Sequence, residues 1–543
     1  MAARVNISAS ILVAGLLASA SAFAQKSDVL KPDVNQSDAR APKEPTLRLN
    51  EAMLLLDYQV VRVAGDEPID LMGFHVITKV ADGLFVGAGL YAPLFKGVYG
   101  GFTAFDISVH AQHRLTSRLF ATAGLSLGGG AGGRSVENAK TLSGTGGFYK
   151  GSVGLGYDFG SLALGVNVSK MKFRRSAIDG TQANVFLQVP FTYLTGPFGS
   201  HGQRLSPADA DEAAAASSER MVTVVFDNFR QLDPKGSYKG NFNVADLQFA
   251  QYFARDTYWY AGLGVGYRGL PLYNHVMGGV GQRVRLSQQL TLYGQLGIGS
   301  GGYAPERIDT DAGLLVYPRI AAEYALTKNL GLSLSAGYLV APKGSSKNLS
   351  FGLGLTRHFR VGDGPGARDH DLGRSGSNEV SDKLSDNVGN ITGLPTYQAF
   401  RVGLFQQTES PVRFIGIDRG QLQMIGIQAD AIVSERWYIP LQASVAYTTY
   451  LGYPGYGELL AGIGVQSRAG SGDRLQAFGE LMAGTNVHGL ALKAGAGLRY
   501  GLSDRVALRL AAGRIEARSA AGNRFTANSL NLGVDYRFSL PAW

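Results

Sequence analysis

The chain has 543 residues, with 74 glycines, 25 tyrosines, 26 phenylalanines and no cysteine, and its mean hydropathy is 0.00. So much glycine at so even a hydropathy excludes helical globules, and the lack of cysteine excludes disulfide staples, thiolate metal sites and thiol chemistry. The formal charge of +9 suits nucleic acid, anionic lipid headgroups or polyanionic sugars. Nucleic acid is set aside, because the basic residues are dispersed singly and form no cluster or recognition helix.

At the amino terminus Arg4 precedes the apolar run Ile7–Leu17 and the small-residue site Ala22-Phe23-Ala24. That is the layout of a cleavable secretory signal over residues 1–24, too short to span a bilayer. Loss of Arg4 with the signal takes the charge from +9 to +8 in a chain starting at Gln25. Residues 25–50 are polar. No later stretch supplies the roughly 20 apolar residues of a spanning helix, so a membrane location requires a closed β-barrel.

From Glu51 onward, strand-length segments of period two alternate with turn residues in three similar blocks, 51–194, 219–359 and 396–543. Leu119–Gly129 matches Leu290–Ser300 and Leu475–Thr485, and the hairpins Ala81–Leu90, Ala254–Leu263 and Val433–Leu441 correspond as well. Eight strands per block give about 24 in all, an internal repeat. The fold class is therefore all-β, a transmembrane antiparallel β-barrel architecture.

Even parity returns every second turn to the periplasmic side, where turns are short. Ser434-Glu435-Arg436, Ala469–Asp473 and Leu502-Ser503-Asp504 fit in the third block, and Ala254-Arg255-Asp256, Leu286-Ser287-Gln288 and Leu326-Thr327-Lys328 in the second. Trp259 and Trp437 then stand at an interfacial aromatic girdle. Residues 195–218 and 360–395 lose the alternation and are linkers, periplasmic by parity. Ser206-Pro207 heads an alanine-rich run suited to a short helix through Ala216.

The last strand, Leu530–Leu540, places Leu530, Leu532, Val534, Tyr536 and Phe538 on one face and Asn531, Gly533, Asp535 and Arg537 on the other. With Gly495–Leu510 and Asn528–Phe538, the third block resembles the closing strands of the small OmpA-type eight-stranded outer-membrane barrels, and Asn348–Phe359 ends the second block similarly. The extension Ser539–Trp543 departs from that pattern. The resemblance implies a Gram-negative outer-membrane location, insertion by the outer-membrane assembly machinery, and contact with outer-membrane lipid and lipopolysaccharide. It carries no catalytic signature.

Three eight-stranded repeats either close separately or join into one barrel. Small barrels fill with side chains, whereas larger ones need a plug. The chain offers no plug-sized insertion, which favours three tandem barrels. Parity points Gln428, Asp430, Gln442, Glu458, Gln466, Glu480, Lys493, Arg499 and Arg509 into the third lumen, and Tyr260, Gly262, Gly264, Gly266 and Arg268 into the second. Glu480, Lys493, Arg499 and Arg509 are the candidate functional charges, as a pore filter or as a structural network, with the network preferred.

No catalytic, cofactor or metal site is expected. His110 and His113 lie an odd number apart and face opposite sides. His358 has no evident neighbouring acid and serves as a lumen hydrogen-bonder, and Asp369-His370-Asp371 is a solvated loop. Repeated Gly-x-Gly runs precede no helix and so are strand glycines, at which the sheet bends or large side chains approach across the lumen. The expected function is an outer-membrane channel or export component, for a polymer such as exopolysaccharide. The alternative is a non-conducting surface scaffold or adhesion protein whose loop Gly128–Gly147 meets a surface ligand. A barrel hydrolase is the third reading.

Overall fold

A strand that shows one face to lipid and the other to a lumen must alternate, and in the computed structural model the alternating blocks form antiparallel strands throughout. The structure describes residues 47–132, 142, 144–206, 209, 219–302, 307–327, 329–359, 396–452, 454–468, 474–519 and 521–542. The expected signal peptide, most of the amino-terminal polar segment, the linker 360–395 with its Asp369-His370-Asp371, and Trp543 lie outside these residues. So does the helix expected after Ser206, apart from Asp209, whose N–H donates to Ser206 Oγ at 3.1 Å.

The first barrel comprises β1 (Arg48–Val61), β2 (Ile69–Ala81), β3 (Leu84–Ala92), β4 (Thr103–Arg114), β5 (Leu119–Ala131), β6 (Gly147–Asp158), β7 (Ala163–Phe173) and β8 (Asp179–Thr195). The second comprises β9 (Arg220–Gln231), β10 (Phe242–Tyr252), β11 (Thr257–Arg268), β12 (Asn274–Arg285), β13 (Leu290–Gly302), β14 (Leu314–Ala325), β15 (Leu330–Val340) and β16 (Lys347–Phe359). The third comprises β17 (Thr396–Phe414), the two-residue β18 (Ile417–Asp418) at a hairpin tip, β19 (Leu422–Ile432), β20 (Trp437–Ala446), β21 (Gly457–Gln466), β22 (Leu475–Asn486), β23 (Gly489–Gly501), β24 (Val506–Arg518) and β25 (Arg524–Ala542).

Each block closes on itself. Leu56 pairs with Leu187 between β1 and β8, Val224 with Leu355 between β9 and β16, and Leu404 with Val534 between β17 and β25. The last strand thus joins the first strand of its own repeat, as three small barrels require and one large barrel forbids. Closure leaves no unpaired edge, so every strand backbone group is satisfied without water.

Turns at the end that holds the linkers are short, such as residues 82–83, 115–118 and 502–505, while those at the opposite end are longer, such as 93–102 and 447–456. This asymmetry puts the short turns on the periplasmic side and the long loops outside. Of the loop Gly128–Gly147, residues 128–131 continue β5, and 133–141 and 143 lie outside the described residues. Outward faces are apolar, with Val153, Val166, Ile320, Leu334, Leu481 and Leu492 all exposed. Trp259 and Trp437 stand just inside their periplasmic turns.

The barrels touch mainly at their extracellular ends. Gly100 N–H donates to Asp311 O at 2.7 Å, and Thr103 Oγ1 donates to Asn274 Oδ1 at 2.6 Å, joining the first and second barrels. Gly129 lies against Ala446 O between the first and third, while Pro271 and Leu272 rest on Gly489 and Gly457 between the second and third. At the periplasmic end Gly196 bridges Ser539 and Arg204 bridges Thr396, so the first linker passes beneath the third barrel.

Candidate functional site

The lumens hold the buried chemistry. Eight strands leave an interior just wide enough for side chains, so a charge at a lumen position must find a partner there. In the first barrel Asp57 on β1 and Lys150 on β6 form a buried ion pair across the lumen, and His75 Nε2 on β2 lies 2.9 Å from Asp106 Oδ1 on β4. His110 lines the same space and His113 is exposed on the other face. Asp57, His75, His110 and Lys150 border a cavity of about 30 Å³, room for about one or two waters. Above them, toward the extracellular end, Tyr99, Phe102, Phe148 and Phe173 close the lumen.

The second barrel repeats this scheme with the partners exchanged. Asp246 on β10 now meets His275 Nε2 on β12 at 2.6 Å. Arg319 Nη2 donates to Asp227 Oδ1 at 3.2 Å, and its guanidinium lies 5.7 Å from the centre of the Tyr317 ring. Nearer the periplasm Arg283 pairs with Glu219 and Asp256. His358 does have an acid: its Nε2 stands 2.7 Å from Glu323 Oε1. That partner sits 35 residues earlier on β14, two strands away, where inspection of neighbouring residues cannot find it. Tyr260 is buried in the lumen, but Arg268 is exposed. A bulge at Asn243/Val244 slips the pairing at the end of β11 and turns Arg268 away from the interior.

All four candidate charges lie in the third lumen, but in two groups. Arg499 Nη2 donates to Asp430 at 3.1 Å and to Glu480 at 3.4 Å, and its Nε donates to Asp535 at 3.1 Å. Arg509 Nη2 donates to the other Glu480 oxygen at 2.9 Å. Both guanidiniums cover Phe478, Arg499 at 3.8 Å from the ring centre. Lys493 sits apart, donating to Gln407 at 2.7 Å and facing Glu458 at 3.6 Å. Above both groups Tyr450, Tyr456 and Phe525 pack together and cap the lumen. Large rings gain their place from strand glycines opposite: a Cβ on Gly464 would collide with the Tyr438 ring, and one on Gly281 with Tyr258.

Sequence reasoning missed Asp57, His75, Asp106, Lys150, Asp227, Asp246, His275, Arg319 and Arg401. A signal existed, since each is a polar residue at lumen parity and most stand between apolar ones, but parity names the face and never the partner. Arg401, for example, donates through Nε to Asp430 at 3.0 Å and so joins the Arg499 group.

No family model matches the chain, and no curated protein matches it. Among solved structures it is similar to the outer membrane protein Ail of Yersinia pestis, at 17% identity over 26% of this chain and 100% of that one, with a TM-score of 0.19. It is similar to the ferric enterobactin receptor PfeA of Pseudomonas aeruginosa, at 10% identity over 91% of this chain and 82% of that one, TM-score 0.27. The NanC porin aligns at 9% identity over 58% and 98%, TM-score 0.15. Closed barrels, outward apolar bands and aromatic residues at the membrane boundary make this an outer-membrane β-barrel protein, with three complete barrels in one chain.

Proposed function

We propose that the protein is a non-conducting scaffold of the outer membrane, in which three small barrels hold their extracellular loops as one surface. The observation that carries this is the filling of the lumens: each is crossed by buried ion pairs, and aromatic side chains pack into each. A passage role, for ions or for a polymer such as exopolysaccharide, would require these pairs to part and leave charges unpaired in a narrow, poorly hydrated interior. In this reading the chain is not an enzyme, and each of the two histidine–aspartate pairs braces strands two apart in its barrel wall. Planar-bilayer recordings of the purified, folded full chain are expected to stay at baseline. Reproducible single-channel steps would overturn the scaffold in favour of passage.

A further inference from the structure

The periplasmic rim of the third barrel is covered by a segment that comes from outside it. β17 runs past its pairing with β19, and β25 runs past its pairing with β24, so residues 396–399 and 538–542 form a two-stranded ribbon with a free edge on each side. The first linker takes both edges. On the β25 side the Gly196 N–H donates to Ser539 O at 2.9 Å, the Ser539 N–H donates back to Gly196 O at 3.1 Å, and Ser539 Oγ donates to Pro197 O at 2.9 Å. On the β17 side the Gly202 N–H donates to Tyr397 O at 2.8 Å, the Tyr397 N–H donates to Gln203 O at 2.9 Å, and the Ala399 N–H donates to His201 Nδ1 at 3.2 Å. These are the backbone groups that alternate away from the partner strand in an antiparallel pair.

Between the two attachments the short 3-10 turn Phe198–Ser200 crosses the mouth of the lumen. Phe198 packs against Ala399, Ile432 and Tyr438, and its ring centre lies 5.6 Å from the Arg537 guanidinium and 5.9 Å from that of Arg401. Past the turn Leu205 is buried against Leu47, Leu194 and Tyr397. Asp209 accepts from the Leu47 N–H and from the Tyr397 hydroxyl, each at 3.3 Å. Leu47 leads into β1 and Leu194 ends β8, so one short segment ties both ends of the first barrel to the first and last strands of the third.

The two edges stand side by side only when β17 and β25 are paired, as Ala399 and Ser539 are in the closed barrel. Unpaired, each strand offers one edge alone, and Phe198 loses half its seat, because Arg401 stands on β17 and Arg537 on β25. We propose that residues 196–204 are a strap that seats only on a closed third barrel, where it stoppers the periplasmic mouth with Phe198 and locks the first barrel to the third as the last step of assembly. Seating also covers the ribbon's free edges, which would otherwise be open to pairing with another extended chain.

The test follows Arg204, which bridges to Thr396 and is the trypsin site within the strap. The full chain carrying Gln406→Cys and Leu532→Cys, on register partners of β17 and β25, is refolded from urea into detergent micelles. Oxidant pulses report closure of the third barrel, and trypsin pulses read by mass spectrometry report cleavage after Arg204. Protection of Arg204 is expected to arise with the crosslink or after it. In the folded chain Phe198→Ser is expected to speed that cleavage about tenfold while heat-modifiable mobility is kept, because cleavage follows the population of the unseated strap. Leu532→Pro removes a ladder hydrogen bond from β25 and is expected to leave Arg204 as open to trypsin as in the unfolded chain. Protection that precedes the crosslink, or that persists in the proline variant, overturns the proposal. Unchanged cleavage in Phe198→Ser also overturns it, since the segment would then be a passive tether. If the proline variant fails to insert, the pulse experiment and Phe198→Ser decide.

Discussion

Arg499 stands where three carboxylates meet, and its worth lies in what its removal leaves behind. Arg499→Met would strand Asp430, Glu480 and Asp535 in the lumen, with Arg401 and Arg509 alone to offset them. The expected loss is about 3–5 kcal/mol, read as a lower urea midpoint for unfolding from lipid vesicles with Trp437 fluorescence as reporter. A loss below about 1 kcal/mol would place the group in an exposed, screened environment. His488 offers a pH test outside the strands. It lies in the extracellular turn after β22, stacked 4.4 Å from Phe414, with Nε2 2.7 Å from the Tyr450 hydroxyl. Burial lowers its pKa from 6.5 to about 4. As pH falls, the unfolded chain takes up the proton first, so this residue's contribution to stability is complete above pH 6.5 and is lost as the pH falls toward 4. Replacing His488 with asparagine should flatten stability in that window. An imidazole that titrates near 6.5 by NMR would contradict the burial.

Between elements, backbone meets backbone where the barrels join. Gly100 is buried between the first and second barrels, and a Cβ there would lie 2.8 Å from Asp311 O. Gly100→Leu should therefore cost about 1–3 kcal/mol of inter-barrel packing while leaving each barrel closed. Limited proteolysis of the first linker, faster in the variant while each barrel keeps its heat-modifiable mobility, would report that separation. Unchanged cleavage would mean that the contact at Gly100 contributes nothing. The strands themselves were legible because period two is a local property, visible in Leu508, Leu510, Leu530 and Leu532 without any partner. Inter-barrel contacts were not, because Gly100 and Gly313 look like any other loop glycines until Pro93 and Asp311 are placed beside them.

For the whole molecule, closure is the property to test. Gln406 and Leu532 are register partners on β17 and β25. Antiparallel partners hold their Cα atoms about 4.5–5.5 Å apart, within disulfide reach. Cysteines at these two positions, in a chain that has none of its own, should crosslink efficiently, and a pair at Leu56 and Leu532 should not. The reverse result would require a single large barrel. A second pair, at Arg204 and Thr396, tests the path of the first linker beneath the third barrel. No crosslink there would detach the linker from that mouth.

By itself the sequence determined strand, face and repeat. Alternation, turn residues and terminal aromatics are short-range consequences of a backbone that must satisfy its hydrogen bonds in lipid, and they put Glu480, Lys493, Arg499 and Arg509 on the lumen side before any partner was known. Only the tertiary structure decided which charges pair. Arg499 meets Asp430 from 69 residues away and Asp535 from 36, and the partners of His75, His275 and His358 all sit two strands away. Closure brings opposite walls within reach of each other, and no local pattern encodes that distance. The same holds for the choice between one barrel and three, since an alternating strand pairs equally well with either neighbour until register and curvature select one.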